Sequence, residues 1–153
     1  MSDCLSCQLL RKRDQGEAPP WDSIYRSEYW DLAHAYNTSY LGWLVLILRR
    51  HIEALDGLTF AEAADLGALI RETSLALKQQ AGCQKTYVMQ FAESADHPHV
   101  HFHIVPRMPE QAPADIAYRV MRQLGVPLAE RCDEAEMNAL ALAIRGQLEA
   151  LRR

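Results

Sequence analysis

The sequence has little of three features that would place it in a specialised class of protein. It has no excess of positive charge, since 16 lysines and arginines stand against 20 aspartates and glutamates, and a nucleic-acid coat protein needs a basic face. It has no long apolar run, because the longest one, residues 41–48 (LGWLVLIL), is too short to cross a bilayer as a helix. It has only four cysteines.

These absences predict the compartment and exclude whole classes of partner. We expect reduced thiols or metal ligands rather than a disulfide framework, because the first residues (MSDCLSCQLLRKRDQGE) also lack the apolar core of a signal peptide. The chain is therefore expected to be cytoplasmic, with neither a membrane nor a nucleic-acid polymer as its partner. The net charge of −4 still permits a local cluster of side chains to bind a small anionic molecule.

Hydrophobic patterning predicts an α+β fold, in which an antiparallel β-sheet packs against one main helix. That helix begins after Thr59, which forms a capping-box pattern with Glu62, and it ends at Gly82. Its apolar face consists of Leu66, Leu69, Ile70, Thr73 and Leu77. Strands are predicted at residues 29–36, 40–48 and 85–92 and in the histidine-rich segment that follows, with a turn at 37–39. This order lacks the regular strand–helix alternation of a parallel sheet.

The chain changes character after residue 109. Residues 113–125 and 133–153 both have helical patterns, whereas residues 11–20 are polar and predict a loop. We therefore expect a main domain over residues 1–110 and a C-terminal helical extension over 111–153. The last helix carries an apolar stripe of Met137, Leu140, Ile144, Leu148 and Leu151. This stripe packs either on the same domain or on a partner subunit.

Four of the six histidines fall within residues 97–107 (HPHVHFHIVPR). Side chains alternate between the two faces of a strand, so this segment predicts one imidazole face and one apolar face. The imidazole face consists of His99, His101 and His103. Pro98 cannot donate to a sheet ladder, so it suits the beginning of the strand and leaves His97 in the preceding loop.

Three interpretations of this imidazole face compete. It could be a polar, solvated strand face, although lysine or threonine would serve there equally well. It could hold a metal ion directly, since alternate histidines can share one ion. It could also perform nucleophilic catalysis at phosphorus, because a neutral ring nitrogen can attack a phosphate and hold the phosphoryl or nucleotidyl group covalently until water removes it.

Residues 99–105 (HVHFHIV) resemble the signature of the histidine triad (HIT) superfamily. The following VPR, the segment RRHIEALDGLT at residues 49–59 and the hairpin–helix–hairpin order also resemble HIT proteins, over about residues 1–109. The resemblance implies a nucleotide hydrolase or nucleotidyl transferase that acts at the α-phosphate. Such substrates include dinucleoside polyphosphates and nucleoside phosphoramidates. It also implies a homodimer whose small-molecule partner is a nucleotide and which needs no organic cofactor.

The resemblance assigns roles to individual residues of the candidate site. It implies that His101 is the nucleophile and that the outer histidines, His99 and His103, support that ring and the phosphate. Weaker matches imply substrate contacts from Gln90, near the phosphate, and from Asn37, at the hairpin turn. Ser94 could add a hydroxyl, so the expected substrate contacts are Gln90, Asn37 and Ser94.

Two departures from the HIT pattern concern the rate and the choice of substrate more than the reaction class, and they also motivate an alternative function. Many members have a Gly-His pair in the second hairpin strand, where this sequence has Gly42 and Trp43, and many have a Gly-Gln-Ser-like loop before the triad, which FAESADHP lacks. The alternative is a non-catalytic module that binds zinc or a nucleotide and regulates a partner.

Cys4 and Cys7 have the spacing of half a four-ligand zinc site. Two reduced cysteines near a terminus, or a redox pair, are the alternatives. Zinc-containing relatives bind the ion with an N-terminal Cys-x-x-Cys, the histidine of the RRH segment and the first triad histidine. The resemblance therefore implies a structural zinc ion on Cys4, Cys7, His51 and His99. His34, in the first strand, is expected to be a hydrogen-bonded histidine of the core or surface rather than a ligand.

Overall fold

The computed structural model describes residues 4–153, and in this part of the chain an antiparallel sheet is covered by helices. The strands are β1 (Tyr25–Arg26), β2 (Trp30–His34), β3 (Leu44–Leu48), β4 (Lys85–Met89) and β5 (His101–Arg107). The α-helices are α1 (Leu5–Asp14), α2 (Phe60–Ala81) and α3 (Glu134–Leu151). The strand order is β1-β2-β3-β5-β4, with every neighbouring pair antiparallel, which confirms the predicted fold class. Within residues 4–153 no helix is long and apolar enough to cross a membrane.

Helix α2 begins and ends where the sequence predicts. The Thr59 hydroxyl accepts a hydrogen bond from the Glu62 N–H at 3.2 Å, and the Glu62 carboxylate accepts one from the Thr59 N–H at 2.8 Å, which closes the capping box. Gly82 ends the helix with a φ of 74°, a left-handed conformation that suits glycine. The predicted apolar face packs inward, with Leu66, Leu69, Thr73 and Leu77 buried and Ile70 partly buried.

Strand β3 has the main hydrophobic core on one face and a cavity on the other. Leu44, Leu46 and Leu48 are fully buried in the cluster that also contains the inner faces of α2 and α3. Because side chains alternate, Val45 and Ile47 point to the opposite side of the sheet, where they line a cavity. Four of the five residues of β3 are buried and Val45 is partly buried, so neither face of this strand is fully open to solvent.

Helix α3 belongs to the core of this chain. Ile144 and Leu148 are fully buried in the same cluster as α2 and the sheet. The Arg145 guanidinium donates to the Ser23 carbonyl at 2.7 Å, which fixes the helix against the loop before β1. The apolar stripe therefore packs on its own domain, although its last member, Leu151, is 44% exposed.

Truncating the stripe should destabilise the whole domain. We expect Leu148→Ala to lower the free energy of unfolding by about 2–5 kcal/mol, because it leaves a cavity in a core with no access to solvent. Urea denaturation measures the loss, with Leu142→Ala as the matched control because Leu142 is 51% exposed on the same helix. Equal effects of the two substitutions would mean that α3 adds nothing to the core.

Residues 113–125 do not form the predicted α-helix. They form 3₁₀ turns at Pro113–Asp115 and Ala117–Gln123. Ala117 has a φ of 57°, which interrupts helical geometry, and its N–H donates to the Tyr87 hydroxyl at 3.1 Å instead of to a helical carbonyl. The apolar pattern is still used, because Val120 is fully buried, but against the sheet edge and the rim of the cavity.

The prediction of a loop over residues 11–20 is wrong for its first part, because α1 continues to Asp14. The reason is the Arg13 side chain, which is buried and donates to Asp22 Oδ1 at 2.7 Å. A charged residue in this position looks solvent-exposed in the sequence, but its ion pairs with Asp22 and, at 3.8 Å, with Asp31 explain its burial. Strand β4 also ends earlier than predicted, at Met89.

Candidate active site and metal centre

A cavity of about 350 Å³ lies on the face of the sheet opposite the main core. Ala33 of β2 and the outward-facing Val45 and Ile47 of β3 form its apolar floor. His101 and His103 of β5 lie beside this floor, because they pair with Ile47 and Val45 in the sheet register. The cavity therefore joins an apolar surface to a row of imidazoles, a combination that suits a small ligand with one apolar and one polar part.

The C-terminal extension completes the rim of this cavity. Met121 and Leu124 line it, and Leu124 forms a β-bridge with Thr38 of the hairpin turn. The carbonyl of Asn37 accepts a hydrogen bond from the N–H of Gly125 at 2.9 Å. The extension thus fixes the turn that carries Asn37 and closes one side of the cavity, a contribution that the sequence does not indicate.

The His101 ring is held in one tautomer. Its Nδ1 lies 2.6 Å from the carbonyl oxygen of His99, and a carbonyl can only accept, so Nδ1 carries the proton. Burial lowers the pKa of His101 below its ordinary value, so the ring is neutral at pH 7. In this neutral form Nε2 keeps its lone pair, and the ring lines the cavity. A nitrogen with these properties is a competent nucleophile.

His103 lies next to His101 and is equally restrained. The two ring centroids are 4.9 Å apart with an interplanar angle of 79°. The Trp43 indole N–H donates to His103 Nδ1 at 3.0 Å. Burial lowers the pKa of His103 to about 3, so this ring is also neutral at pH 7.

A further imidazole, from the loop that precedes β5, reaches the same cavity. His97 lines it, with Nδ1 2.9 Å from the Ser6 hydroxyl and Nε2 3.3 Å from the Tyr36 hydroxyl. Its ring centroid is 6.3 Å from that of His101. The position of His97 before Pro98 gives no hint of this, because the contact depends on α1 folding back beside the loop.

The structure brings together some of the predicted site residues and separates others. Asn37, Ser94, His101 and His103 line the cavity. Gln90 is not among the lining residues, and its Nε2 is buried without a hydrogen-bond partner in the described part of the chain. His99 is completely buried and does not line the cavity either. It departs from the expected alternation because β5 begins only at His101.

His99 instead joins the predicted zinc ligands. Its Nδ1 lies 3.7 Å from Cys4 Sγ, 3.5 Å from Cys7 Sγ and 3.1 Å from His51 Nδ1. His51 Nδ1 is also 3.3 Å from Cys7 Sγ. All four candidate ligand atoms lie within 4.8 Å of one another.

These distances fit a tetrahedral metal ion. With Zn–N and Zn–S bonds of about 2.0 and 2.3 Å, ligand atoms in a tetrahedron are about 3.3–3.8 Å apart. His99 Nε2 lies 2.6 Å from the carbonyl oxygen of Leu48, so Nε2 carries the proton and Nδ1 offers a lone pair to the cluster. The donor set of two thiols and two imidazoles suits zinc.

The sixth histidine has a structural role, as the sequence interpretation expects. The Nδ1–H of His34 donates to the carbonyl of Ala35 at 2.8 Å, and its Nε2 accepts from the N–H of Gly42 at 2.9 Å. Gly42 has a φ of 95°, and a Cβ there would lie 3.0 Å from Pro106 Cγ. His34 thus holds together the two ends of the β2–β3 hairpin.

The His34 contacts predict a specific dependence of stability on pH. Burial lowers the pKa of His34 from 6.5 to about 4, so its stabilising contribution is complete above pH 6.5 and is lost as the pH falls towards 4. We expect the unfolding free energy of the native protein to fall over this range by about 3 kcal/mol more than that of His34→Gln. Urea titrations of both proteins at several pH values measure this difference, and parallel curves would contradict it.

The family model of the HIT domain matches residues 17–110, which is more than half of the chain. The chain belongs to the HIT domain family. The match spans the sheet, α2 and the triad of this HIT protein and stops where the C-terminal extension begins. No curated protein sequence matches it.

Solved structures similar to this HIT protein share its fold at low sequence identity. A hypothetical histidine triad nucleotide-binding protein from Sulfolobus tokodaii is 18% identical, with a TM-score of 0.70, over 96% of this chain and 95% of the other. A zinc-bound histidine triad family protein from Mycobacterium smegmatis is 19% identical, with a TM-score of 0.66, over 97% and 96% of the two chains. A uridylyltransferase structure is 19% identical, with a TM-score of 0.66, over 96% of this chain and 45% of its own.

Proposed function

We propose that this HIT protein is a hydrolase or nucleotidyl transferase that acts at the α-phosphate of a nucleotide, such as a dinucleoside polyphosphate or a nucleoside phosphoramidate. The observation that carries the proposal is the His101 ring. Its Nδ1–H is fixed on the His99 carbonyl at 2.6 Å, and the ring lines a cavity large enough for a nucleotide. Membership of the HIT domain family supports this assignment.

The proposed reaction has two displacements. In the first, the lone pair of His101 Nε2 forms an N–P bond while the bond from phosphorus to the leaving group breaks and the leaving group departs with the electron pair. In the second, the oxygen of water or of another acceptor forms a bond to phosphorus, the N–P bond breaks, and its electrons return to Nε2. The acceptor loses its proton to solvent. Splitting the reaction in this way lowers each barrier.

The arrangement of the cavity suits both displacements. The His99 carbonyl accepts from Nδ1–H and so stabilises the positive charge that the ring acquires when Nε2 bonds to phosphorus. His103, with its ring centroid 4.9 Å from that of His101, can donate from Nε2 to a phosphate oxygen. His97, 6.3 Å away, is held by the Ser6 and Tyr36 hydroxyls and adds a second imidazole beside the nucleophile. The apolar floor of Ala33, Val45 and Ile47 provides a surface for a nucleobase.

The stereochemistry at phosphorus tests this function. Each in-line displacement inverts the configuration of the attacked phosphorus, so two displacements give net retention. We expect a nucleotide that is chiral at the α-phosphorus through sulfur and oxygen isotopes to yield product with retained configuration. Net inversion would indicate direct attack by water and would contradict a covalent intermediate. Binding of the nucleotide without any product would favour the non-catalytic regulatory module.

We further propose a structural zinc ion on Cys4, Cys7, His51 and His99. Bound zinc would crosslink the start of α1 to the segment that follows β3 and to the residues that precede β5. His99 would then be fixed at both ring nitrogens, because its Nε2–H already donates to Leu48. The zinc-bound relative from Mycobacterium smegmatis supports this proposal.

The family resemblance also leads us to propose a homodimer in the cytoplasm. Strand β4 lies at the edge of the sheet, and its Val88 is 42% exposed. An unpaired strand edge with an exposed apolar residue favours pairing with a second copy. Sedimentation equilibrium at micromolar concentration should give twice the 17.4 kDa mass of the chain.

A further inference from the structure

Trp43 occupies an unusual position beside the candidate nucleophile. It is completely buried, and its backbone is hydrogen-bonded on both sides, with its N–H donating to Tyr40 at 3.2 Å and its carbonyl accepting from Ala35 at 2.9 Å. The indole ring meets the His103 ring edge to face, with centroids 5.7 Å apart and an interplanar angle of 82°. Within this contact the indole N–H lies 3.0 Å from His103 Nδ1.

The chemistry of indole decides which nitrogen of His103 carries the proton. An indole N–H can donate a hydrogen bond but can never accept one. His103 Nδ1 must therefore be the acceptor, and the proton of the neutral ring lies on Nε2, at the opposite edge of the ring. A histidine at position 43 could either donate or accept, and it would leave both tautomers of His103 accessible.

The same contact disfavours the charged form of His103. A protonated ring would place an Nδ1–H against the indole N–H, so two donors would face each other without an acceptor. Desolvation acts in the same direction, since burial already lowers the pKa of His103 to about 3. The geometry and the burial together leave the His103 ring neutral, with its one proton on Nε2.

We propose that Trp43 is a positioning residue that locks His103 as a neutral Nε2–H donor to the phosphate in the reaction proposed above. The neighbouring His101 has the complementary arrangement, with the proton on Nδ1 and the lone pair on Nε2. Because the two ring centroids are only 4.9 Å apart, one ring presents a nucleophile and the next presents a hydrogen-bond donor on the same wall of the cavity. This inference depends on the proposed function.

The C-terminal extension forms part of the apolar pocket that holds the Trp43 indole. Trp43 packs with Ala35, Val105 and Val120, all of them buried, and Val120 belongs to the extension that follows the family match. Met121 and Leu124 are partly buried against the same cluster and also line the cavity. The extension therefore stabilises the indole from behind while it closes the rim.

Long-range proton–nitrogen NMR spectra of protein with labelled histidines test the lock directly, because protonated and unprotonated ring nitrogens differ widely in nitrogen chemical shift. At neutral pH we expect His103 to show a protonated Nε2 and an unprotonated Nδ1. In Trp43→Phe, which removes the N–H and keeps an aromatic ring, we expect a mixture of tautomers. The kcat of this variant should fall about 10- to 100-fold, with little change in KM, because the His103 ring loses its fixed orientation as well as its single tautomer, and the Nε2–H that it presents acts on charge that develops during reaction.

Trp30→Phe is the matched control. Trp30 is also completely buried and also uses its indole N–H, which donates to the Glu62 carbonyl at 2.9 Å, but it lies in the main core. Its replacement should lower stability without changing the His103 tautomer or kcat. Trp43→His, which restores a nitrogen donor in a smaller ring, should recover part of the kcat lost in Trp43→Phe.

The outcomes separate this inference from the proposed function. A protonated Nδ1 on His103 in the native protein would overturn the lock, whether or not Trp43→Phe folds. An unchanged tautomer or an unchanged kcat in folded Trp43→Phe would overturn it as well, with the proposed function intact. Absence of any turnover in the native protein would remove the proposed function, and the spectra would still decide whether Trp43 fixes His103.

Discussion

His101→Ala should abolish turnover without unfolding the protein. We expect kcat to fall by at least about 10⁴-fold, because the substitution removes the atom that bonds to phosphorus and not merely a group that assists it. The fold should persist, since the His101 side chain lies at the cavity and is not part of the main core. Steady-state hydrolysis of a dinucleoside polyphosphate and of a nucleoside phosphoramidate measures the loss, and urea denaturation checks the fold.

Chemical rescue provides the control for this substitution. His101→Gly leaves a gap in the cavity wall that free imidazole can occupy beside the His99 carbonyl. If the ring nitrogen is the nucleophile, millimolar imidazole should restore part of the lost turnover in His101→Gly and have no effect on the native protein. Turnover by His101→Ala within tenfold of the native rate would remove His101 from the reaction.

Loss of the metal centre should have the second largest effect. We expect one zinc ion per chain in the native protein and none in Cys4→Ser, because Cys4 supplies one of the four candidate ligand atoms that lie within 4.8 Å of one another. The stability that zinc confers follows from mass action, and at a thousandfold excess over its Kd it amounts to about 4 kcal/mol. A chelator should therefore lower the Tm of the native protein markedly and that of Cys4→Ser only slightly.

Cys132→Ser is the matched control for the metal measurement. This substitution replaces sulfur with oxygen just as Cys4→Ser does, but Cys132 is not one of the four clustered residues. Its zinc content and its response to the chelator should equal those of the native protein. Equal zinc content in Cys4→Ser and the native protein would contradict the assignment of the ligands.

The sequence predicts the elements of the fold better than it predicts the site. Local signals such as Thr59, Glu62 and Gly82 set the bounds of α2 because capping acts within a few residues. Residues 113–125 mislead, since their apolar pattern is compatible with a helix, whereas the chain there makes long-range contacts such as that of the Ala117 N–H with the Tyr87 hydroxyl, 30 positions away, and adopts another conformation.

The triad shows the same limit. Strand alternation predicts correctly that His101 and His103 share a face, but it also assigns His99 to that face. His99 precedes β5, and its ring is taken by the Leu48 carbonyl and by the cluster around Cys7 and His51. These partners lie 48 to 92 positions away, so strand alternation cannot indicate them, and it is the family resemblance that implies the cluster with Cys7 and His51.

The Trp43 contact could not be foreseen either. The sequence shows a tryptophan where many family members have histidine, and this departure motivates the alternative of a non-catalytic module. In the folded chain the indole N–H lies 3.0 Å from His103 Nδ1. The tryptophan therefore places a group that can only donate where a histidine could either donate or accept. The physical consequence depends on a distance and a direction that only the structure provides.

Trapping the covalent intermediate tests the central claim most directly. The protein is mixed with a labelled nucleotide substrate, quenched within milliseconds at alkaline pH, where N–P bonds to histidine persist, and digested for mass spectrometry. The account predicts a nucleotidyl group on the peptide that contains residues 97–107, located by fragmentation on His101 and absent from His101→Ala. An unmodified peptide during active turnover, or a nucleotidyl group on a different side chain, would contradict it.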